Sequence, residues 1–356
     1  MFNRPRATIH LNNIAANWRA IDAATPGAAT GAVVKANAYG HGLAQVGEAL
    51  NDAGCNFFFT AYAFEGVALR KAIGPHAHIY VLNGPAPNEA DTYHDNALRA
   101  VINTPKQYRE WLNWLNHGAK IPYALHFDTG MNRLGLRATD APQLADATAA
   151  LPPTLIMSHL ASAETASNPQ NAAQLAIFET VLPFFPDIPV SLANSGGVAL
   201  PAKFHHKLTR PGIALYGGGP HADALGLQPG LTLTAPILSL HIARAGETVG
   251  YGATHAFTAD TPLATVALGY ADGFPRAGSN SLIAYIGETP CPVVGRVSMD
   301  LITIDVSKAQ SAVKVGMPVE FIGKTAKLEK QAAACGTLGY ELLTGLSDRV
   351  ERLYEY

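Results

Sequence analysis

The sequence predicts a (β/α)8 barrel followed by a strand-rich domain. Three observations carry this. The first two thirds repeat one unit, a short apolar run rich in β-branched or aromatic residues followed by a stretch with helical spacing. The apolar runs number eight, and strands alternating with helices make a parallel sheet that eight units close. After about Gly226 the strands continue without regular helices between them. At about 150 residues per domain, 356 residues suit two or three domains.

The eight runs are GAVVKANA from Gly31, NFFFTA from Asn56, HIYVLNG from His78, LRAVINT from Leu98, IPYALHFDTG from Ile121, TLIMSHLA from Thr154, IPVSLANS from Ile188 and KLTRPGIALYG from Lys207. Between them, LAQVGEALNDAG stops at a glycine, and PKQYREWLNWLNHG opens with Pro105 and closes with Gly118, the start and stop signals of helices. An open doubly wound sheet is the alternative, but the dinucleotide pattern G-x-G-x-x-G follows none of these strands. The second domain reads as LTLTAPILSLHIAR, LATVALGYADG, SLIAYIG, CPVVGRVSMDLITIDV and MPVEFIG, then mixed helix from about Leu328 and a closing DRVERLYEY. The division is therefore 1–226 and 227–356. The strand-like ATIHL has no place in the count of eight, so residues 1–12 are free to associate with the second domain.

Composition narrows the function. Hydrophobic residues at 48% against 15% charged fit a globular chain and exclude a disordered one. With 25 basic and 27 acidic residues and no basic run, nothing offers a footprint for nucleic acid phosphates. No eighteen-residue apolar stretch or signal-like start occurs, so a cytoplasmic protein with no membrane partner is expected. Cys55, Cys291 and Cys335 lack paired spacing and read as core thiols, which agrees. No His-Glu-x-x-His occurs, so no metal is expected. Gly323-Lys324-Thr325 is no phosphate loop, because the first glycine of that pattern would fall on Pro318.

In a parallel barrel the site forms at the carboxyl ends of the strands. Here strand one ends in Lys35 to Tyr39, strand five in Asp128 to Arg133, strand six in His159, strand seven in Asn194-Ser195 and strand eight in Arg210 to Ile213. Lys35 follows an apolar GAVV, where burial would lower its pKa and free an amine able to form an imine; a lysine snorkelling outward is the bland alternative. Ser195 and the Gly212 and Ile213 amides follow strands seven and eight, where barrels often bind phosphate, though a cap and a turn would look the same. Arg210 beside them matches a residue that faces the ring nitrogen of pyridoxal phosphate, or is a plain ion-pair residue. Together they outline a pyridoxal phosphate site.

The segment Ala32 to Gly42, AVVKANAYGHG, resembles the cofactor-lysine segment of the alanine racemase family. Asp128 to Gly135, Arg210 to Tyr216, Val249 to Thr254, Gly269 to Gly273, Gly295 to Asp300 and Arg349 to Tyr354 resemble the family in its own order, so the match spans essentially the whole chain. The resemblance implies a fold-type III enzyme that uses pyridoxal 5′-phosphate, works as a homodimer with shared active sites and takes alanine as substrate. It implies Lys35 as Schiff-base lysine and one base, and Tyr251 as the other base, reaching the partner's active site. Tyr39, Ser195, Gly212, Ile213 and Tyr354 would hold the phosphate, Arg210 would meet the pyridine nitrogen, and His159 and Asn194 would line the cofactor. Arg133 and the Met299 amide would receive the substrate carboxylate, with Tyr270 and Arg276 at the entrance.

The chain departs from the family's pattern at three places. His126 stands where many relatives carry a carbamylated lysine that orients the arginine matching Arg133. Glu351 replaces a usual proline and is expected to loosen the segment carrying Tyr354. Ser298 stands where cysteine is common. The expected reaction is interconversion of L- and D-alanine, supplying D-alanine for peptidoglycan or catabolising alanine. The alternatives are a racemase of serine or another small amino acid, a decarboxylase of the same fold, which would use a cysteine near Ser298-Met299, and a non-catalytic cofactor carrier, which would lack the second domain.

Overall fold

The computed structural model describes residues 4–116, 121–309 and 313–356, and this chain divides into two compact units. One contains Ile14–Ala38 and Gly42–Leu227; the other contains the segment ending at Asn13, Tyr39–His41 and everything from Gln228 on.

The first unit is the barrel. Strands Ala32–Val33, Phe57–Thr60, His78–Val81, Leu98–Ile102, Tyr123–Asp128, Leu155–Met157 and Val190–Ser191 are hydrogen-bonded side by side in that order, all parallel. The eighth, Leu208–Thr209, pairs with Ala29–Thr30. Backbone bonds complete the circle. Lys207 N donates to Val190 O (3.0 Å) and Arg210 N to Ala193 O (2.8 Å) on one side, while Gly31 N donates to Thr209 O and Val33 N to Pro211 O (2.9 Å each) on the other. Gly31 sits at this closure because a Cβ there would lie 2.9 Å from the Phe59 ring and 3.1 Å from Phe57 O. The strands read as continuous apolar runs because a parallel sheet is covered on both faces: Phe58, Phe59, Ile79, Tyr80, Val101 and Leu125 are all buried.

The helices between strands begin and end as the signals dictate. Leu43–Asp52 turns Val46, Ala49 and Leu50 inward. Pro105–Asn116 opens on its proline, and its expected stop at Gly118 lies outside the described residues. Asn168 caps Pro169–Val181 by accepting from Gln170 N. Two expectations are corrected. The first strand ends at Val33, not Ala38, because Lys35–Tyr39 coils into a turn described below. An unexpected strand, Leu136–Arg137, pairs beside Phe127 and Asp128 after the Asp128 carboxylate has gathered the N–H groups of Gly130, Met131 and Asn132.

The second unit is strand-rich. Its long strand Leu231–Ala243 runs antiparallel to Arg6–His10, Thr261–Val266 and Pro318–Ile322. Arg6–His10 is also parallel to Glu351–Glu355, so ATIHL and DRVERLYEY become neighbours in one sheet. CPVVGRVSMDLITIDV is not continuous: it yields Thr289–Pro292 and Ile302–Asp305, separated by a loop in which Gly295 takes a φ of 76°. The mixed helix from Leu328 is two short helices, Leu328–Ala334 and Gly339–Thr344.

Candidate active site

Lys35 opens the turn just past the first barrel strand, half-buried, with its amine pushed below the ordinary lysine value by burial and by the Arg133 guanidinium, against an upward pull from Glu65. The backbone after it is unusual. Ala36, Asn37, Ala38 and Tyr39 have φ of 53°, 54°, 52° and 52°, a turn of left-handed helix built without glycine. Local bonds hold it: Ala38 N donates to Val34 O (2.9 Å), Gly42 N to Asn37 O (2.9 Å) and Leu43 N to Asn37 Oδ1 (2.8 Å). A distant one comes from the next βα unit, where Glu65 Oε1 accepts Ala36 N at 2.6 Å.

Arg210 directly follows the eighth strand, 3% exposed, with burial pulling its pKa down to about 9. Its guanidinium donates to Ser191 Oγ and to the carbonyls of Ser158 (2.5 Å) and Leu192 (3.4 Å), and among the described residues no carboxylate pairs with it. His126 is buried nearby, its pKa lowered to about 3 by burial and then by Arg210. Its Nδ1 meets Asn103 Oδ1 at 2.7 Å, and Asn103 Nδ2 donates to Leu82 O and Val101 O, both 2.9 Å. Asn103 thus has only an oxygen to offer, so His126 carries its proton on Nδ1 and keeps a lone pair on Nε2. His159 is held well below the ordinary histidine value by burial, with Arg210, His126, Arg133 and Lys35 adding to it. The barrel therefore brings Lys35, His126, Arg133, His159 and Arg210 within electrostatic reach of one another; Arg133 itself is exposed.

Ser195 Oγ accepts Gly212 N at 2.8 Å and Ala214 N at 3.3 Å, which leaves its O–H as a donor. The Ile213 N–H, at the start of the turn Ile213–Tyr216, donates to no acceptor among the described residues. Asn194 is fixed between Leu160 O, to which its Nδ2 donates (3.1 Å), and Gly197 N, which donates to its Oδ1 (3.0 Å).

In the strand-rich unit, Tyr39 is buried with its ring 6.1 Å from Tyr340, and burial pushes its hydroxyl up to about 12. Gly40 beside it is irreplaceable, since at φ 81° a Cβ would lie 2.3 Å from Leu343 O. Its carbonyl accepts Arg352 Nε at 2.8 Å. Tyr354 sits in the closing strand opposite Ile9, its pKa raised by burial. Glu351, at the start of this strand, pairs its carboxylate with Arg4 and Arg6, both at 2.9 Å. Tyr251 opens a short turn and is 72% exposed. Tyr270 N donates to Ser298 O and Ala271 N to Met299 O (3.0 Å each), which ties Tyr270 to Met299, both of them exposed. Arg276 is exposed on the turn Arg276–Gly278, while Ser298 Oγ bonds within its own turn to Leu301. Sequence reasoning missed Glu65, Asn103, Ser158 and Ser191. None ends a strand run in a conspicuous motif; the one available signal was Glu65 three residues after Tyr62, at the start of a helix.

Comparison with known proteins agrees with this frame. Residues 9–220 match the family described as "Alanine racemase, N-terminal domain" and residues 230–354 its C-terminal domain counterpart. The alanine racemase of Methylobacterium nodulans is 46% identical over 354 residues, covering 98% of this chain and 95% of the relative. The crystal structure of alanine racemase from Bartonella henselae, with covalently bound pyridoxal phosphate, superimposes with a TM-score of 0.94 at 35% identity, covering 99% of this chain and all of that one. The biosynthetic alanine racemase from Pseudomonas aeruginosa gives 0.93 at 35% identity, each chain covered in full. A barrel with its polar groups at the strand ends, joined to a strand-rich unit of this order, defines the class of two-domain isomerases to which these relatives belong. The chain belongs to the alanine racemase family.

Proposed function

We propose that this enzyme interconverts L- and D-alanine with pyridoxal 5′-phosphate bound at Lys35. The observation that carries the reading is the grouping at the barrel mouth of a desolvated lysine, a buried guanidinium without a carboxylate and an unspent set of anion donors. These residues fit the cofactor. The Ser195 O–H and the Ile213 N–H suit a phosphate, with Gly212 holding Ser195 in place and Tyr39 and Tyr354 completing the set. Arg210 suits the pyridine nitrogen, and His159 and Asn194 line the ring. When bound, the cofactor supplies an electron sink that acidifies the α C–H of the amino acid.

The chain's residues do the rest. Racemisation needs two groups on opposite faces of the α carbon, one to take a proton and one to return it. Lys35 serves one face, since its lowered pKa leaves a larger share of free amine near neutral pH. Tyr251 serves the other; 72% exposed in one chain, it is available to the active site of a second copy in a homodimer. Arg210, cationic at neutral pH even with its lowered pKa, keeps the ring nitrogen unprotonated and so limits side reactions. Arg133 and the Met299 amide receive the substrate carboxylate, and Tyr270 and Arg276 restrict the entrance to a small side chain. Alanine fits best, although one methylene discriminates by only about 1–3 kcal/mol. No helix among the described residues is long and apolar enough to cross a membrane. We place the reaction in the cytoplasm, where it supplies D-alanine for peptidoglycan or draws on alanine as a nutrient.

The test is L-alanine in heavy water with the purified protein and its Tyr251→Phe variant. The expected result is a yellow protein that forms α-deuterated D-alanine, with racemisation lost in the variant. A yellow protein that neither exchanges nor racemises alanine would overturn the reading.

A further inference from the structure

We infer that Glu65 is a positioning residue of the reaction: its carboxylate anchors the left-handed turn that follows Lys35 and supplies a negative charge near the lysine amine. This rests on the reading of Lys35 as cofactor lysine and base. A left-handed helical residue other than glycine costs roughly 1–2 kcal/mol, and four stand in succession from Ala36 to Tyr39. Such a conformation persists only where its surroundings over-determine it. Val34 O and Asn37 supply bonds from within the segment itself. Among the described residues Glu65 alone reaches Ala36 from another element, and it brings a charge: Oε1 accepts Ala36 N at 2.6 Å, while Oε2 accepts Ala61 N at 2.7 Å and Tyr62 N at 3.1 Å. The carboxylate, 7% exposed, therefore staples the turn after the first strand to the mouth of the second. Three backbone donors fix it more firmly than a flexible side chain partner would.

The groups facing the Lys35 amine are few. Arg133 repels a proton from it, Glu65 favours one, and His159 stays neutral among its cationic neighbours. Burial already depresses the amine, so Glu65 is what keeps the lysine basic enough to hold a proton for return to the α carbon.

The experiment compares wild type, Glu65→Asp and Glu65→Gln as loaded enzymes. Borohydride reduction and peptide mass spectrometry first locate the cofactor; label on a residue other than Lys35 would defeat the underlying reading and this inference with it. With label on Lys35, the visible absorbance is titrated against pH together with kcat/KM for alanine. Loss of the charge in Glu65→Gln is expected to move both midpoints down by about one pH unit, a tenfold change in proton affinity, with Glu65→Asp falling between it and wild type. A merely structural role would lower the thermal midpoint and leave the titration alone. Coincident midpoints in whichever variant folds would overturn the inference while leaving Lys35 in its role.

Discussion

His126 illustrates how one amide can dictate the chemistry of a ring. Because Asn103 Nδ2 is spent on Leu82 O and Val101 O, the imidazole is confined to a single tautomer with its Nε2 lone pair free to accept from a cation. Arg133 is within its electrostatic reach. The arrangement carries a pH dependence. With a folded pKa of about 3, below the unfolded value of about 6.5, the unfolded chain binds the extra proton. The stability of the neutral form is complete above about pH 6.5 and drains away as pH falls toward 3, at about 1.4 kcal/mol per pH unit. His159 adds in the same direction. Urea midpoints measured from pH 6.5 to 5 should therefore decline less steeply in His126→Gln than in wild type; parallel slopes would show that the ring titrates normally. A second expectation concerns Arg210. Ser191 shares its guanidinium with two carbonyls, so Ser191→Ala should leave the fold intact and weaken cofactor retention on dialysis by an amount of order 1–2 kcal/mol. Retention equal to wild type would remove Ser191 from the support of Arg210.

At the scale of elements, the turn Lys35–Tyr39 reverses an ordinary rule. Ala→Gly at an exposed site of a right-handed helix costs about 1 kcal/mol. At Ala36, exposed but at φ 53°, glycine relieves left-handed strain that offsets its greater freedom in the unfolded chain. Denaturant unfolding should show Ala172→Gly, in helix Pro169–Val181, losing about 1 kcal/mol while Ala36→Gly loses none. Equal losses would mean the turn is right-handed in solution. The same element marks the boundary of what could be read in advance. Runs such as FFFT, HIYV and LRAVI announce themselves by apolar continuity between turn signals, and the strand-end rule then locates Lys35, His159 and Arg210. KANAY offers no glycine until Gly40, and the bond that reaches Ala36 from outside the segment comes from Glu65, 29 positions on in the chain. Local propensity contains no trace of such a bond. Asn103 and Ser191 were opaque for the same reason: each acts by satisfying another side chain, a pairing that sequence spacing does not encode.

For the whole molecule, we propose that the two compact units are the folding domains, dividing near residue 226, and that two copies complete each other's sites. This has a direct test. A Lys35→Ala subunit and a Tyr251→Phe subunit, each inactive alone, should regain activity when unfolded together and refolded as a mixture, because one mixed site keeps both residues. Mixtures as inactive as their parents would place Tyr251 and Lys35 in the same subunit's site or outside any site.

The pairing of Arg6–His10 with both Leu231–Ala243 and Glu351–Glu355 has a consequence for biosynthesis. A ribosome makes the strand at Arg6 well before its neighbour at Tyr354, with the whole barrel sequence made in between. The barrel can condense while the chain is still growing, but the sheet cannot gain its last strand until Glu355 has left the exit tunnel. During that interval the edge of Arg6–His10 that Glu351–Glu355 will cover stays unpaired, which makes this strand a natural client for a chaperone.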